Sequence, residues 1–254
     1  MLKNCNLLKN RFDVESAKKL AKIGAEKGIM LSGMTRDQTE ASFSSQNLNP
    51  ADAILIASDL KFMAVLKDLS VAYNKINGEA AQQLAAAALG SLSLYVLSEV
   101  PIKELREDKL TKLELQSKGL GATEGIVLAE LIKVNPVLTE LDLSSNSIGI
   151  DGAKAIAEAL KVNPVLTILD LNRNSIGADG AMAIAEALKV NPVLNNLNLG
   201  FNSIDVDGAK AIAEALKVNP VLTKLYLYNN NLGDAGKQAV RDAVKGRSGF
   251  VLKL

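Results

Sequence analysis

The stretch 141-LDLSSNSIGIDGAKAIAEALKVNPVL-166 contains one complete structural unit. Leu141 and Leu143 alternate with polar residues, the period of two that a strand needs. Asn146 and Gly149 interrupt that pattern. From Ala153 the apolar residues recur as A-x-x-I-A-x-x-L, the spacing of one helix face. Asn163-Pro164 closes the unit, because proline lacks an amide hydrogen and cannot continue a helix. The same order returns in 169-LDLNRNSIGADGA-181 and 197-LNLGFNSIDVDGA-209, and AIAEALKVNPVL recurs at 155–166, 183–194 and 211–222, a step of 28 residues. Another unit opens at Leu225, and one step back from Leu141 lies Leu113.

Toward the N-terminus the pattern is degraded. In 69-LSVAYNKINGEAAQQLA-85 and 41-ASFSSQNLNPADAILIA-57 the apolar frame survives, and 5-CNLLKNRFDVESAKKLA-21 supplies Leu7, Asn10, Phe12, Ala17 and Leu20. The first two units are 36 residues apart, with 27–33 read as an extra strand, and 93–108 reads as a truncated unit with a strand and no full helix. Asp151, Asp179 and Asp207 stand at helix entrances, where a short acidic side chain caps free N–H groups and opposes the dipole. Lys154 and Glu158 lie four apart on the outer face, as do Lys210 and Glu214.

The pattern L-x-x-L-x-L-x-x-N-x-I/L, as in 138-LTELDLSSNSI-148, resembles the leucine-rich repeat family, and the 28-residue step with a full helix resembles its ribonuclease-inhibitor-type subfamily. The resemblance implies an α/β class fold, a right-handed solenoid or horseshoe with parallel strands on the concave face and helices on the convex face. Strands sit about 4.8 Å apart and packed helices about 8–10 Å apart, so stacked strand–helix units curve with the sheet inside. Residues 1–254 are expected to form a single solenoid: irregular repeats over 1–108, regular repeats over 109–245 and a capping strand over 246–254. The resemblance also implies that Asn10, Asn74, Asn146, Asn174, Asn202 and Asn230 turn inward to satisfy the backbone of each bend. Lys118 replaces this asparagine in its unit and is expected to swing out to solvent.

Several stretches imitate cofactor motifs. In 113-LELQSKGLGATEGIVLAEL-131, Gly119, Gly121 and Gly125 follow a strand and open a helix, the setting of a dinucleotide loop. In register, however, Gly121 aligns with Gly149 and Gly177, so the loop is one of a series of bends. The stretch 233-GDAGKQ-238 lacks the P-loop spacing and its Ser/Thr, and 205-DVDG-208 lacks the other ligands of a calcium loop. Neither a cofactor nor a metal is therefore expected. The chain has no histidine and one cysteine, Cys5, which excludes His-based acid–base chemistry and an intrachain disulfide and suits a reducing, cytoplasmic setting. With 29 basic and 28 acidic residues, nothing draws it to nucleic acid or an anionic membrane. The uncharged run 80–98 is broken by Gly90 and glutamines, too polar for a span.

Function is expected where the repeats differ, at the non-leucine positions around each strand. Glu114, Glu140, Asp142 and Asp170 form an acidic zone. Phe201, Tyr226 and Tyr228 form an aromatic zone, with Arg173 and Lys224 near it. Aromatics and arginine are the usual anchors of protein interfaces. No nucleophile or metal group accompanies the carboxylates, so the chain is read as a non-enzymatic interaction module that binds a protein partner on its concave face. The N-terminal end lacks an amphipathic capping helix and is read as a second docking place. Two further readings are a GTPase-activating regulator of a small GTPase, similar to the Ran GTPase activators, and a leucine-rich repeat sensor fragment of an immune-type receptor.

Overall fold

The computed structural model describes residues 2–254. The chain forms two compact units, one made of Met1–Glu104 with Gly119–Val127 and the other of Leu105–Lys118 with Leu128–Leu254.

In the second unit, β5 (Lys112–Glu114), β6 (Glu140–Asp142), β7 (Ile168–Asp170), β8 (Asn196–Asn198), β9 (Lys224–Tyr226) and β10 (Val251–Lys253) form one six-stranded sheet in the order β10-β9-β8-β7-β6-β5. Every pairing is parallel, and Leu113, Leu141, Leu169, Leu197, Leu225 and Leu252 stand in one register row. Helix α5 (Ala122–Val134) follows β5, and α6 (Gly149–Leu160), α7 (Gly177–Leu188), α8 (Val206–Val218) and α9 (Gly233–Ala243) follow β6 to β9, consecutive helices packing together from α6 to α9. Between sheet and helices lies an apolar core in which Leu169, Ile176, Ile184, Ala185 and Leu188 are essentially inaccessible. Gly208 sets the helix spacing: a Cβ there would lie 2.8 Å from Ile204 Cγ2 and 3.2 Å from Ala181 Cβ.

Two asparagine ladders hold the turns. At the strand-to-helix bend, Asn202 Nδ2 donates to Leu171 O (2.8 Å) in the preceding repeat, while its Oδ1 accepts from Asn174 N (2.9 Å) and Ile176 N (3.3 Å). Asn174 and Asn230 repeat this pattern, and Asn146 accepts from Lys118 N at 3.0 Å. Lys118 itself is exposed. At the helix-to-strand return, Asn163, Asn191 and Asn219 donate to Ile132, Leu160 and Leu188 carbonyls (2.6–2.7 Å) and accept from the two amides of their own turn. The sequence reading assigned this stop to proline alone; the buried asparagine beside it holds the turn. Arg247 occupies the next place in that series. It donates to the Leu216 and Leu222 carbonyls and lies 4.7 Å over the Phe250 ring, ending the ladder beneath β10. Burial lowers its guanidinium pKa.

Two helix-terminus expectations need correction. Asp151 and Asp179 are not caps: α6 and α7 begin at Gly149 and Gly177 without a side-chain cap hydrogen bond, and the aspartates sit inside the first turn. The left-handed φ of these glycines (67° and 66°) carries the chain into the helix earlier than the aspartate. In α8, Asp205 is the cap instead of Asp207. On the outer face, Lys154 reaches Asp179 of the next repeat (3.2 Å), and Glu158 pairs with Lys161.

The first unit contains α1 (Val14–Lys27), β1 (Glu40–Ser42), α2 (Pro50–Leu60), β2 (Asp68–Ser70), α3 (Gly78–Gly90), β3 (Val96–Leu97) and β4 (Val100–Pro101). Its sheet runs β1-β2-β3-β4, parallel except for the antiparallel β3–β4 pair, and α4 (Ile102–Arg106) follows directly. The expected extra strand at 27–33 is reduced to two isolated bridges, Asn4 with Met30 and Asn6 with Ser32. Carboxylates from α2 pin these N-terminal segments. Asp52 accepts from Lys9 N (2.8 Å), and the fully buried Asp59 accepts from Leu31 N, Ser32 N and Ser32 Oγ (2.6–3.0 Å). Burial raises the Asp59 pKa against those three donors. The glycine-rich bend is filled by protein: a Cβ at Gly119 would lie 2.4 Å from the Tyr73 ring, and Gly121 N–H donates to Glu124 Oε2 at 2.8 Å.

Candidate functional site

Side chains alternate along a strand, so in the second unit the residues flanking each core leucine form the exposed face of the sheet. Its C-terminal end carries one connected row. The Arg173 guanidinium lies 4.2 Å over the Phe201 ring. Phe201 meets Tyr228 edge-on, with centroids 5.6 Å apart and planes at 86°. Tyr228 meets Tyr226 at 6.5 Å and 76°, and Lys253 Nζ lies 5.2 Å over Tyr226. These are the edge-to-face and cation–π geometries that the ring quadrupole favours.

Gly200 makes the row possible. A Cβ there would come within 2.7 Å of Asn172 Nδ2 and 2.8 Å of the Tyr228 ring. The bare backbone lets Tyr228 lie across it, and its hydroxyl accepts from Asn172 Nδ2 at 3.1 Å, two repeats away. Phe201 has φ 55° and is 39% exposed. A bulky aromatic in the left-handed region is uncommon and costs about 1–2 kcal/mol. The equivalent positions carry Ser117, Ser145, Arg173 and Asn229, all with positive φ.

The acidic zone divides by role. Lys112 neutralises its edge, reaching Glu114 at 3.0 Å and Glu140 at 3.6 Å, and these carboxylates raise its pKa. Asp142 accepts from Ser144 N and Asp170 from Asn172 N (both 2.8 Å), so both hold the chain leaving the strand. Asn198 Nδ2 donates to the other Asp170 oxygen at 2.8 Å. Burial nonetheless raises the Asp170 pKa, and Asp142 adds to the rise. Lys224 is exposed at the start of β9, in register with Asn196. The structure thus brings Phe201, Tyr226, Tyr228 and Arg173 together, and places Glu140, Asp142 and Asp170 in a band beside them on β6 and β7. Sequence reasoning missed Lys253, Asn172 and Gly200. Gly200 was legible as the one residue without a side chain among Gln116, Ser144, Asn172 and Tyr228.

Among the described residues, no group of His, Cys, Asp and Glu is placed to hold a metal ion, and no helix is long and apolar enough to cross a membrane. The 80–98 run is a helix to Gly90 followed by a turn and β3.

Parallel strands in a single register, with a helix between each strand and the next, define the second unit as a β/α solenoid. A family model described as Leucine Rich repeat matches residues 134–157, 162–185, 190–213 and 218–240. Residues 134–240 are therefore leucine-rich repeats, and such repeats mark a protein-interaction module. The structure of leiomodin-1 actin-binding site 2 is 24% identical, covering 57% of this chain and 86% of that one with a TM-score of 0.50, a likeness of fold. A Bacteroides fragilis protein is 16% identical (90% and 80% covered, TM-score 0.41), and a Listeria monocytogenes internalin is 15% identical (78% and 69%, TM-score 0.30). No curated protein matches the chain.

Proposed function

We propose that the exposed sheet face of the second unit binds a protein partner. The Arg173–Phe201–Tyr228–Tyr226–Lys253 row is the anchor, with Lys224 beside it and Glu140, Asp142 and Asp170 as its charged flank. The carrying observation is the row itself. Three aromatic rings are held on the exposed face by edge-to-face contacts, by Asn172 and by the gap at Gly200, although Phe201 sits in a backbone conformation that disfavours it. Interfaces concentrate their energy in such clusters of aromatics and arginine, and pre-set rings lose little freedom on binding. The 28-residue step supports a ribonuclease-inhibitor-type kinship within the family.

Pull-down from the native source tests the reading. The Phe201→Ala, Tyr226→Ala, Tyr228→Ala variant is expected to lose the specific partners that the wild type retains. Equal recovery of all of them removes the aromatic row from consideration. The N-terminal end, where Leu2 is 60% exposed, is a second proposed docking place. Full hydrogen-exchange protection over residues 5–25 in an isolated monomer contradicts it.

A further inference from the structure

The helical side of the first unit differs from that of the regular repeats. In α7 the outer residues Asp179, Met182 and Glu186 face solvent. In α2, Ala51–Leu60 are all buried. Helices α1 and α3 pack on either side of α2 and also join each other directly, Lys18 Nζ lying 2.8 Å from Glu79 Oε2. Helix α2 is therefore recessed between two helices that stand proud of it. A groove of about 1050 Å³ runs over it.

All three walls present helical stripes. From α1 come Lys18, Ala21, Lys22 and Ala25; from α2 and its C-cap, Ile54, Ala57, Ser58 and Lys61; from α3, Gln83, Ala86, Ala87 and Gly90. Each set has the i, i+3, i+4, i+7 spacing of a face made to receive another helix. A lining of alanine, glycine and serine lets a helix axis approach at the close end of the usual 8–10 Å range. Each stripe spans two helical turns, about 11 Å. Of the charged lining, Lys18 is held by Glu15 and Glu79, which leaves Lys22 and Lys61 against Glu26. Leu92, 90% exposed, stands at one end, where the regular repeats carry Pro136, Pro164, Pro192 and Pro220.

We propose that this groove is a docking site for an amphipathic α-helix of a partner protein, seated lengthwise over α2. Its apolar face fills the alanine-lined floor, and its Asp and Glu flanks meet Lys22 and Lys61. This site lies on the helical side and is independent of the aromatic row on the sheet.

The test uses two display libraries of helical peptides panned against the full chain. Both randomise the i, i+3, i+4, i+7 positions among Ala, Leu, Met and Phe; one carries Glu and Asp at the flanks, the other Lys and Arg. The blocking variant is Ala86→Trp. Ala86 is exposed in the groove, so the indole fills the groove rather than the core. A circular dichroism melt matching wild type confirms that the variant folds. Selected acidic peptides are expected to bind wild type at least about tenfold more tightly than the blocked variant, a difference of about 1.4 kcal/mol. Lys22→Glu with Lys61→Glu is expected to reverse the preference between the libraries. The proposal is overturned if no acidic peptide discriminates wild type from Ala86→Trp, if the basic library enriches equally, or if dodecanoate fills the groove while neither library yields a binder.

Discussion

The two units solve one problem with only partly the same side chains. Wherever the chain turns between strand and helix, backbone N–H and C=O groups are buried and need partners. In the second unit asparagine supplies them. Its amide both donates and accepts, so Asn202 links the carbonyl of the repeat before it to amides on the same bend, and the arrangement propagates. In the first unit Asn74 relays in the same way at one bend, accepting from Gln46 N and Leu48 N and donating to Phe43 O, while Asp52 and Asp59 take over at the N-terminal segments. A carboxylate only accepts, so it gathers amides at one place and passes nothing on. Regular spacing goes with the relaying side chain, and irregular segments go with the terminating one.

The sharpest way to break this contrast is to remove one member of each kind. Asn202→Ala strands the Asn174 and Ile176 amides and the Leu171 carbonyl, and at roughly 1–3 kcal/mol per unpaired buried group is expected to cost about 4 kcal/mol in urea denaturation, with exchange opening in the bends on both sides. Asp59→Ala also strands amides, at Leu31 and Ser32, but it removes a carboxyl whose charged form burial disfavours. It is expected to cost less, about 1–2 kcal/mol, with faster exchange confined to residues 29–34. Equal costs, or opening of the asparagine bends in the Asp59 variant, would erase the distinction.

A smaller effect concerns pH. Burial of Glu124 raises its pKa above the ordinary 4.5, against the donors Ser98 and Gly121. A carboxyl with a raised folded pKa binds its proton more tightly in the native state. Its contribution to stability is therefore complete below about pH 4.5 and is lost as pH rises through the folded value. Glu124→Gln keeps an oxygen for Gly121 N–H and carries no charge. The variant is expected to melt a few degrees higher than wild type above neutrality and to match it at pH 4; the reverse order falsifies the burial assignment.

The repeat was legible because its period is written in apolar residues, and Leu141, Leu169 and Leu197 share one register as their spacing implies. The bend asparagines were legible through the family resemblance. The return asparagines were hidden behind their prolines, since nothing local shows that Asn163 reaches the carbonyl of Ile132 in another repeat. Arg247 was hidden for the same reason. At the site, Phe201, Tyr226 and Tyr228 could be listed along the strands, but the reach of Tyr228 over Gly200 to Asn172 exists only once three repeats are stacked. The recess of α2 was likewise invisible, because the apolar run Ala53–Ala57 reads as core until its neighbours show what stands above it.

Site-specific photocrosslinking compares the two faces of the second unit directly. A benzophenone amino acid is placed at position 224 on the exposed sheet face in one sample and at position 182 on the outer face of α7 in another, in the native source. Protein adducts are expected from 224, and the Phe201→Ala, Tyr226→Ala, Tyr228→Ala background is expected to abolish them. Adducts from 182 alone, or adducts from 224 that survive in that background, would contradict the assignment of binding to the aromatic row.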